Sequence, residues 1–268
     1  MTFPADKIDL RIIPISGLRP HEETVERLSM ELRRAIVEEG VQRDPVVVDD
    51  SSGTILDGTH RVEALGKAGA RSVLAYVVDY NDPYVRLYRW YRVVRNPARE
   101  LVAEIVGELG LMRLGRLEAG NPARAADNGV VLTYRGEAFG KETPGLLERT
   151  GAMRAFDRAA ARRELLVDFV DEDSAAPGLL HGPDLFLIPP KFGKQDVLVA
   201  AKEGRLFPPK STLHVFPFRP LGVRYPVEDL KAGRDVLAEL LRSRRARLVE
   251  PSSSHGGRKY REKIVVFE

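Results

Sequence analysis

The first 95 residues contain one long amphipathic segment between shorter apolar runs. Within it, Leu28, Leu32 and Ile36 recur at four-residue steps as part of a longer apolar series. Such spacing places apolar side chains on one face of a helix, so we predict a helix over residues 23–39. Gly40 follows as a stop signal, because glycine readily adopts the left-handed conformation that ends helices.

Short apolar runs on both sides of this segment predict strands. They cover residues 10–15, 45–49, 54–57 and 72–79. The turn-forming residues 49–53 separate the second run from the third, so these two runs are expected to pair as neighbouring strands. A second helix is predicted over residues 60–70, and residues 84–94 alternate partly and include several aromatic residues.

The segment Arg95-Asn96-Pro97 marks the first boundary, and a second series of elements follows it. The predicted helices cover residues 98–109, 144–163, 194–203 and 227–242, and the predicted strands cover residues 130–134, 165–170, 184–188 and 263–267. This mixture indicates an α/β (α+β) protein. We predict domains at residues 1–95 and 96–242, and a C-terminal extension of unknown role at residues 243–268.

The composition is that of a globular protein large enough to bury a full core. The chain has 268 residues, of which 43% are hydrophobic and 30% are charged. No apolar stretch is long enough to cross a bilayer, and the first residues lack the order of a secretory signal. We therefore expect a cytoplasmic protein without a membrane partner.

Charge and cysteine usage exclude several kinds of chemistry. The absence of Cys excludes disulfides, thiolate metal sites, iron–sulfur clusters and cysteine-based catalysis. The net charge of +3 is too small for a dedicated DNA-binding protein, so a nucleic-acid partner is not expected. Asn and Gln are scarce and Arg is abundant, which is typical of thermophilic proteins, although a GC-rich genome also raises Arg.

Residues 55–61, with the sequence Ile-Leu-Asp-Gly-Thr-His-Arg, join a strand to a helix. A junction of this kind offers backbone N–H groups and the positive end of a helix to an anion. Arg61 can add a bidentate contact to phosphate, and Asp57 can hold Mg²⁺. The pair Asp57-Gly58 equally suits a plain turn with a helix cap, and spacing alone leaves both interpretations open.

The order of these motifs resembles the ParB/sulfiredoxin superfamily. A helix is followed by a Gly…Pro-Val-Val-Val strand at residues 40–48, a short hairpin and a Gly-x-x-Arg motif at residues 58–61. Sulfiredoxins carry a catalytic Cys where this chain has Thr59, so their activity is excluded. ParB partition proteins continue into a helical DNA-binding region, whereas this chain continues into a second α/β series.

The sequence resembles a third branch of that superfamily, the free L-serine kinases. The matches are Pro20-His21-Glu22, residues 57–61, Asp79-Tyr80, Trp90-Tyr91 and residues 209–218. They are spread over both predicted domains, and their joint order is more specific than any single motif. The family usually has His where Thr59 stands, and the tail after Arg242 has no match to the family.

This resemblance implies a fold, a reaction and a set of roles. The implied fold is a ParB/sulfiredoxin-like, nucleotide-binding N-terminal domain plus a second mixed α/β domain that completes the substrate site, with the active site in the cleft between them. Glu22 is implied as the catalytic base, and Asp57 as a second catalytic acid and the Mg²⁺ ligand. The implied nucleotide-binding residues are Val41, Gly58, Thr59, His60 and Arg61. The implied serine- or phosphoserine-binding residues are Trp90, Lys210, Ser211, Thr212 and His214.

The implied reaction transfers a phosphoryl group from ATP or ADP to the hydroxyl of L-serine, giving O-phospho-L-serine for cysteine or serine biosynthesis. Nothing in the residues decides between the two donors. A monomer or a small homo-oligomer is expected. The alternative is a ParB-like nucleotide-binding switch or DNA-binding protein without kinase activity.

Several of the implied residues also have a structural explanation. Glu22 precedes a helix, where the macrodipole favours an acid, and Trp90 lies in an aromatic segment typical of a core. Val41 can simply enter a strand, and His60 can simply begin a helix. The basic run 242–247 can contact nucleic acid or form a solvated helix end.

Two further site types are excluded. Residues 204–211 nearly match a P-loop, but Pro209 replaces its second glycine and removes a backbone N–H that would bind phosphate. His21, His181 and His255 lack the spacing of zinc ligands.

Overall fold

The structure is a computed structural model that describes residues 7–115, 121–176, 178–179, 182–251, 254–255 and 258–268. Its helices are Glu26–Glu39, Thr59–Lys67, Arg99–Leu109, Pro122–Ala125, Leu146–Arg162, Glu172–Ala175, Lys194–Glu203, Val227–Ala232 and Leu237–Arg242, with a 3-10 turn at Ile15–Gly17. Its strands are β1 (Leu10–Pro14), β2 (Val41–Gln42), β3 (Val46–Asp49), β4 (Ile55–Asp57), β5 (Ser72–Val78), β6 (Arg86–Tyr88), β7 (Trp90–Val94), β8 (Met112–Arg113), β9 (Gly129–Tyr134), β10 (Glu137–Glu142), β11 (Asp168–Asp171), β12 (Leu185–Ile188), β13 (Leu213–Val215), β14 (Phe218–Leu221), β15 (Tyr225–Pro226), β16 (Ala246–Val249), β17 (Ser254–His255), β18 (Arg258–Lys259) and β19 (Lys263–Phe267). The predicted mixed α/β class is confirmed.

The chain forms two compact units. The first contains Met1–Arg86, Val197–Pro209 and His214–Glu268, and the second contains Leu87–Asp196 and Lys210–Leu213. These units differ from the predicted division at residues 1–95, 96–242 and 243–268. The difference arises because β7 pairs within the sheet of the second unit, while the chain after His214 returns to the first unit.

The first unit contains a four-stranded sheet in the order β1-β5-β3-β4. β3 and β5 are parallel, whereas β1 pairs antiparallel with β5 and β4 pairs antiparallel with β3. The predicted pairing of the second and third apolar runs is confirmed. All seven residues of β5 are buried, as expected for a central strand covered on both faces. This sheet carries Asp57 at the end of β4.

Glycines with a positive φ end two helices of the first unit. The helix Glu26–Glu39 ends at Gly40, which has a φ of 69°. It begins three residues later than predicted because Val25 is extended. The predicted helix over residues 227–242 is wrong in one respect: Gly233, with a φ of 68°, ends the first helix there, and a second begins at Leu237.

The C-terminal residues belong to the first unit. β19 is the middle strand of a three-stranded sheet, parallel to β14 and antiparallel to β16. Leu221, Ile264 and Val266 form its buried apolar cluster. Part of the basic run 242–247 is therefore a strand, not a plain solvated helix end, and the segment predicted as an extension completes a sheet.

The second unit contains a six-stranded sheet in the order β11-β7-β12-β9-β10-β8. One face packs against the helices Arg99–Leu109 and Leu146–Arg162 through residues such as Ile105 and Phe156. The opposite face carries a second apolar cluster that includes Tyr91 and Phe186. Residues at neighbouring positions of β7 therefore point into different layers. Within the described residues, no helix has the length and apolar character needed to cross a membrane.

Candidate active site

The junction between β4 and the helix Thr59–Lys67 has the backbone geometry that the motif predicts. Gly58 caps the helix with a φ of 96°. A Cβ at this position would lie 2.9 Å from Cγ1 of Val46, so a larger residue would collide as well as strain the backbone. Because the first N–H groups of a helix have no partners within it, the close turn at Gly58 leads directly into a segment suited to anions.

Asp57 is ion-paired with a buried arginine that the sequence analysis missed. Its Oδ2 lies 2.5 Å from Nη1 of Arg219, and Nε of Arg219 donates to Glu262. The Arg219 guanidinium also lies 5.1 Å from the ring centroid of Phe216. Burial acts to lower the pKa of Arg219, but the carboxylates of Asp57 and Glu262 outweigh it and raise that pKa. Asp57 is thus held in place by a fixed positive charge.

Glu22 lies beside a buried imidazole. His21 is 2% exposed, and its Nδ1 is 2.7 Å from the carbonyl oxygen of Ile55. Because a carbonyl can only accept, Nδ1 carries the hydrogen, and Nε2 of the neutral ring has a lone pair. Nε2 lies 3.7 Å from Oε1 of Glu22. Burial lowers the pKa of His21, and the opposing effects of Glu22, the Ile55 carbonyl and Asp57 do not reverse it.

The segment that contains Glu22 is fixed to the segment that contains Phe207. Phe207 donates its N–H to the carbonyl of His21 at 2.7 Å and accepts the N–H of Glu23 at 2.9 Å. The ring of Phe207 also meets the His21 ring edge-on, with centroids 6.0 Å apart. The backbone on both sides of Glu22 is therefore held by paired hydrogen bonds.

His214 completes this cluster in the first unit. Its ring centroid lies 5.5 Å from that of His21, with the planes nearly perpendicular. Nε2 of His214 is 2.8 Å from the hydroxyl of Tyr80, and Phe216 stacks on the ring. Burial raises the pKa of Tyr80, so its hydroxyl keeps its proton. Among the predicted site residues, Glu22 and His214 therefore both lie next to His21.

The other predicted nucleotide residues make local contacts. His60 accepts the N–H of Val25 at its Nε2, at 2.9 Å. Nη1 of Arg61 donates to the carbonyl of Pro45 at 2.6 Å. Thr59 is the first residue of its helix, and Val41 pairs with Pro226 in a two-stranded ladder. These contacts orient His60 and Arg61. Val41 begins a short strand, which agrees with the structural explanation given for it above.

The remaining predicted residues lie in the second unit. Nζ of Lys210 is 5.2 Å from the ring centroid of Trp90, within the range of a cation–π contact. Lys210 has a φ of 58°, which is uncommon for a residue other than glycine. Ser211 is fully buried with its Oγ 4.0 Å from Sδ of Met153, and Thr212 is 7% exposed.

The described residues contain no group of three or more His, Asp or Glu side chains arranged to hold a metal ion. His181 and the side chain of His255 lie outside the described part of the chain. Four residues of these clusters were assigned no role from the sequence: His21, Tyr80, Arg219 and Glu262. The matched segments Pro20-His21-Glu22 and Asp79-Tyr80 pointed towards two of them, whereas Arg219 and Glu262 had no local signal.

No family model matches the chain. An ADP-dependent L-serine kinase, SerK of Thermococcus kodakarensis, is 26% identical over 234 residues, which cover 85% of this chain and 96% of that protein. An ATP-dependent L-serine kinase of Staphylothermus marinus is 27% identical over 240 residues, covering 85% of this chain and 94% of that protein.

A solved structure of a free serine kinase point mutant in complex with ADP is also similar. It has a TM-score of 0.67 and 25% identity, and the match covers 83% of this chain and 94% of that one. The similarity extends well beyond the N-terminal domain, so a ParB-like switch or DNA-binding protein is not favoured. These comparisons confirm the resemblance to the free L-serine kinase family that the motifs of both halves predict.

Proposed function

We propose that this chain is a free L-serine kinase that transfers the terminal phosphoryl group of ATP or ADP to the hydroxyl of L-serine. The observation that carries the proposal is the cluster of Glu22, His21 and His214 in a chain similar to L-serine kinases over most of its length. The products are O-phospho-L-serine and the nucleotide shortened by one phosphate. The similar proteins include both an ADP-dependent and an ATP-dependent kinase, so both donors are retained.

Glu22 is proposed to accept the proton of the serine hydroxyl as the bond to phosphorus forms. Phosphoryl transfer mainly requires positioning and charge stabilisation, so a carboxylate held at a fixed place suffices as the base. Nε2 of the buried His21 lies 3.7 Å from Oε1 of Glu22, and the backbone on both sides of Glu22 is hydrogen-bonded to Phe207. These contacts support a carboxylate that is held at a fixed place.

The junction at Gly58 is proposed to bind the phosphates of the donor. The helix N-terminus supplies backbone N–H groups and a positive dipole end. Because Nε2 of His60 accepts from Val25, the neutral ring carries its hydrogen on Nδ1, as a donor suited to phosphate. The guanidinium of Arg61 adds a fixed positive charge, oriented by the carbonyl of Pro45.

Asp57 is proposed to hold Mg²⁺ together with the nucleotide. Mg²⁺ in kinases usually binds one or two carboxylates and completes its shell with phosphate oxygens and water, so a single partly exposed carboxylate fits this mode. When bound, the ion neutralises negative charge on the phosphates. Arg219 holds the Asp57 carboxylate in its position.

Lys210, Ser211, Thr212, Trp90 and His214 are proposed to recognise serine and its phosphorylated product. Lys210 carries the positive charge that a carboxylate or phosphate requires, and its contact with Trp90 limits the positions of its flexible side chain. Ser211 and Thr212 supply hydroxyl groups at buried positions. We further propose a cytoplasmic enzyme of amino-acid biosynthesis that acts at high temperature as a monomer or small homo-oligomer.

The test is the formation of O-phospho-L-serine by the purified chain, measured by mass spectrometry. The protein is incubated with Mg²⁺ and L-serine, with ATP and ADP supplied in separate reactions, and with EDTA as the control for the metal. We expect phosphoserine with at least one donor and none with EDTA. If neither donor yields phosphoserine under any condition in which the nucleotide binds, the proposed function is wrong.

A further inference from the structure

The second unit contains a cavity that the proposed reaction does not use. Its volume is about 330 Å³, at the lower end of the range for small-molecule sites. Charged side chains of both signs line it: Arg89, Arg124 and Lys191 are cationic, and Asp127 and Glu172 are anionic. Phe192 adds an apolar wall.

This cavity lies on the face of the six-stranded sheet opposite to Trp90. Tyr91 of β7 donates its hydroxyl to Glu172, a cavity residue. Arg92, the next residue, pairs with Asp157 of the helix Leu146–Arg162 on the other face. Since side chains alternate along a strand, Trp90 lies on the Arg92 side. The contact of Ser211 with Met153, on that same helix, places Ser211 on that side too.

Arg89 is buried in the cavity wall, where two carbonyl groups accept its hydrogen bonds and two carboxylates lie nearby. Nη1 donates to the carbonyl of Pro189 and Nη2 to that of Ala123. The carboxylates of Asp127 and Glu172 lie 3.4 and 3.7 Å from Nη2, longer than the 2.7–2.9 Å typical of a charge-assisted hydrogen bond. Only 6% of the Arg89 side chain is exposed. Its guanidinium therefore provides a fixed positive charge in the cavity wall.

We propose that this cavity binds an amino acid that carries a second anionic group, either a phosphate or a side-chain carboxylate. The lining has three positive and two negative side chains, a net charge of +1, which matches a ligand with one ammonium group and two acidic groups. Asp127 and Glu172 would bind the ammonium group. Arg89, Arg124 and Lys191 would bind the two acidic groups.

Two classes of compound carry one ammonium group and two acidic groups: phosphorylated amino acids and dicarboxylic amino acids. Calorimetric titration of the full chain with O-phospho-L-serine and with L-glutamate, in separate experiments, distinguishes them. L-Serine and inorganic phosphate are the controls, because each lacks one of the required groups. We expect one of the two acidic amino acids to bind at this cavity, and neither control to bind there.

Variants of exposed lining residues locate the binding. Arg124→Gln and Lys191→Gln remove a charge from the cavity without disturbing the core, and each is expected to weaken binding about ten- to a hundredfold. Lys210→Met, on the other face of the sheet, is the matched control and should leave this binding unchanged. Thermal unfolding of each variant checks that it folds.

The outcome separates this inference from the proposed kinase activity, because titration requires no turnover. O-Phospho-L-serine as a reaction product can also bind at Lys210, so two binding events that respond to different variants support the proposal. It is overturned if neither acidic amino acid binds, or if all binding is lost in Lys210→Met and retained in Arg124→Gln and Lys191→Gln.

Discussion

In the first unit, His21 and His214 are buried, and each is hydrogen-bonded to a specific buried partner, the carbonyl of Ile55 and the hydroxyl of Tyr80. In the second unit, Lys210 is exposed and contacts the ring of Trp90. The first arrangement fixes side chains to within hydrogen-bond geometry, whereas a cation–π contact allows a longer side chain to adjust. We infer that the first cluster, which adjoins Glu22, holds its side chains for the chemical step and, through His214, for part of acceptor recognition, whereas the second serves acceptor recognition alone.

The largest expected effect follows from Glu22. Glu22→Gln keeps the size of the side chain and removes its ability to accept a proton, so kcat should fall by about 10²–10⁴-fold. Nucleotide affinity should remain near that of the unchanged protein, because Glu22 is not proposed to bind phosphate. Steady-state kinetics and nucleotide titration measure the two quantities. A kcat within about threefold of the original would reject Glu22 as the base.

Asp57→Asn tests whether the ion pair with Arg219 serves more than stability. Arg219 is buried, so loss of one charged partner should lower the free energy of unfolding by about 1.5–3 kcal/mol. The same variant should also lose Mg²⁺-dependent activity. Denaturant unfolding and a Mg²⁺ titration of kcat give these results.

Glu262→Gln is the matched control for Asp57→Asn, since Glu262 pairs with the same guanidinium. It should lower stability by a similar amount and leave the Mg²⁺ dependence of kcat unchanged. If both variants lose activity equally, the role of Asp57 is structural.

Lys210→Met tests the proposed role of Lys210 in recognising the acceptor. Methionine retains much of the aliphatic length but carries no charge, so the serine KM should rise about tenfold, as for the loss of one hydrogen bond to a charged group. The Kd for nucleotide should stay the same. A large fall in kcat with an unchanged serine KM would show that Lys210 acts in the chemical step, contrary to the role in acceptor recognition inferred for it.

The smallest expected effect is on the pH dependence of stability. Burial lowers the pKa of His21 in the folded protein, so the unfolded chain binds its proton more readily. The stability due to the neutral ring is therefore present above the ordinary pKa of about 6.5 and lost as the pH falls through the lowered pKa. His21→Asn retains a donor near the Ile55 carbonyl and does not titrate, so its unfolding free energy should fall less steeply below about pH 6.5. Identical slopes in both proteins would contradict the burial argument.

The sequence predicted the elements whose signals are local. The helix ending at Gly40 and the pairing of β3 with β4 follow from periodicity and turn residues within 20 positions. The polar strand β10 was missed because its residues do not form an apolar run. The break at Gly233 was missed because the apolar spacing continues across it.

The candidate site was predictable only in part, for a related reason. The junction at Gly58 has a local sequence signature, whereas the pairing of Asp57 with Arg219 joins residues 162 positions apart. No periodicity connects such positions. The return of the chain after His214 to the first unit likewise involves the pairing of β15 with β2, which joins residues more than 180 positions apart.

The most direct test of the account is to follow the phosphorus atoms during the reaction. ³¹P NMR of the purified chain with Mg²⁺, L-serine and either ATP or ADP records the loss of the terminal nucleotide phosphate and the appearance of a phosphomonoester. We predict that the two changes proceed at equal rates with L-serine present, and that neither occurs with Glu22→Gln on the same time scale. Release of inorganic phosphate instead of a phosphomonoester, or no change with either nucleotide, would contradict the proposal that this chain phosphorylates free serine.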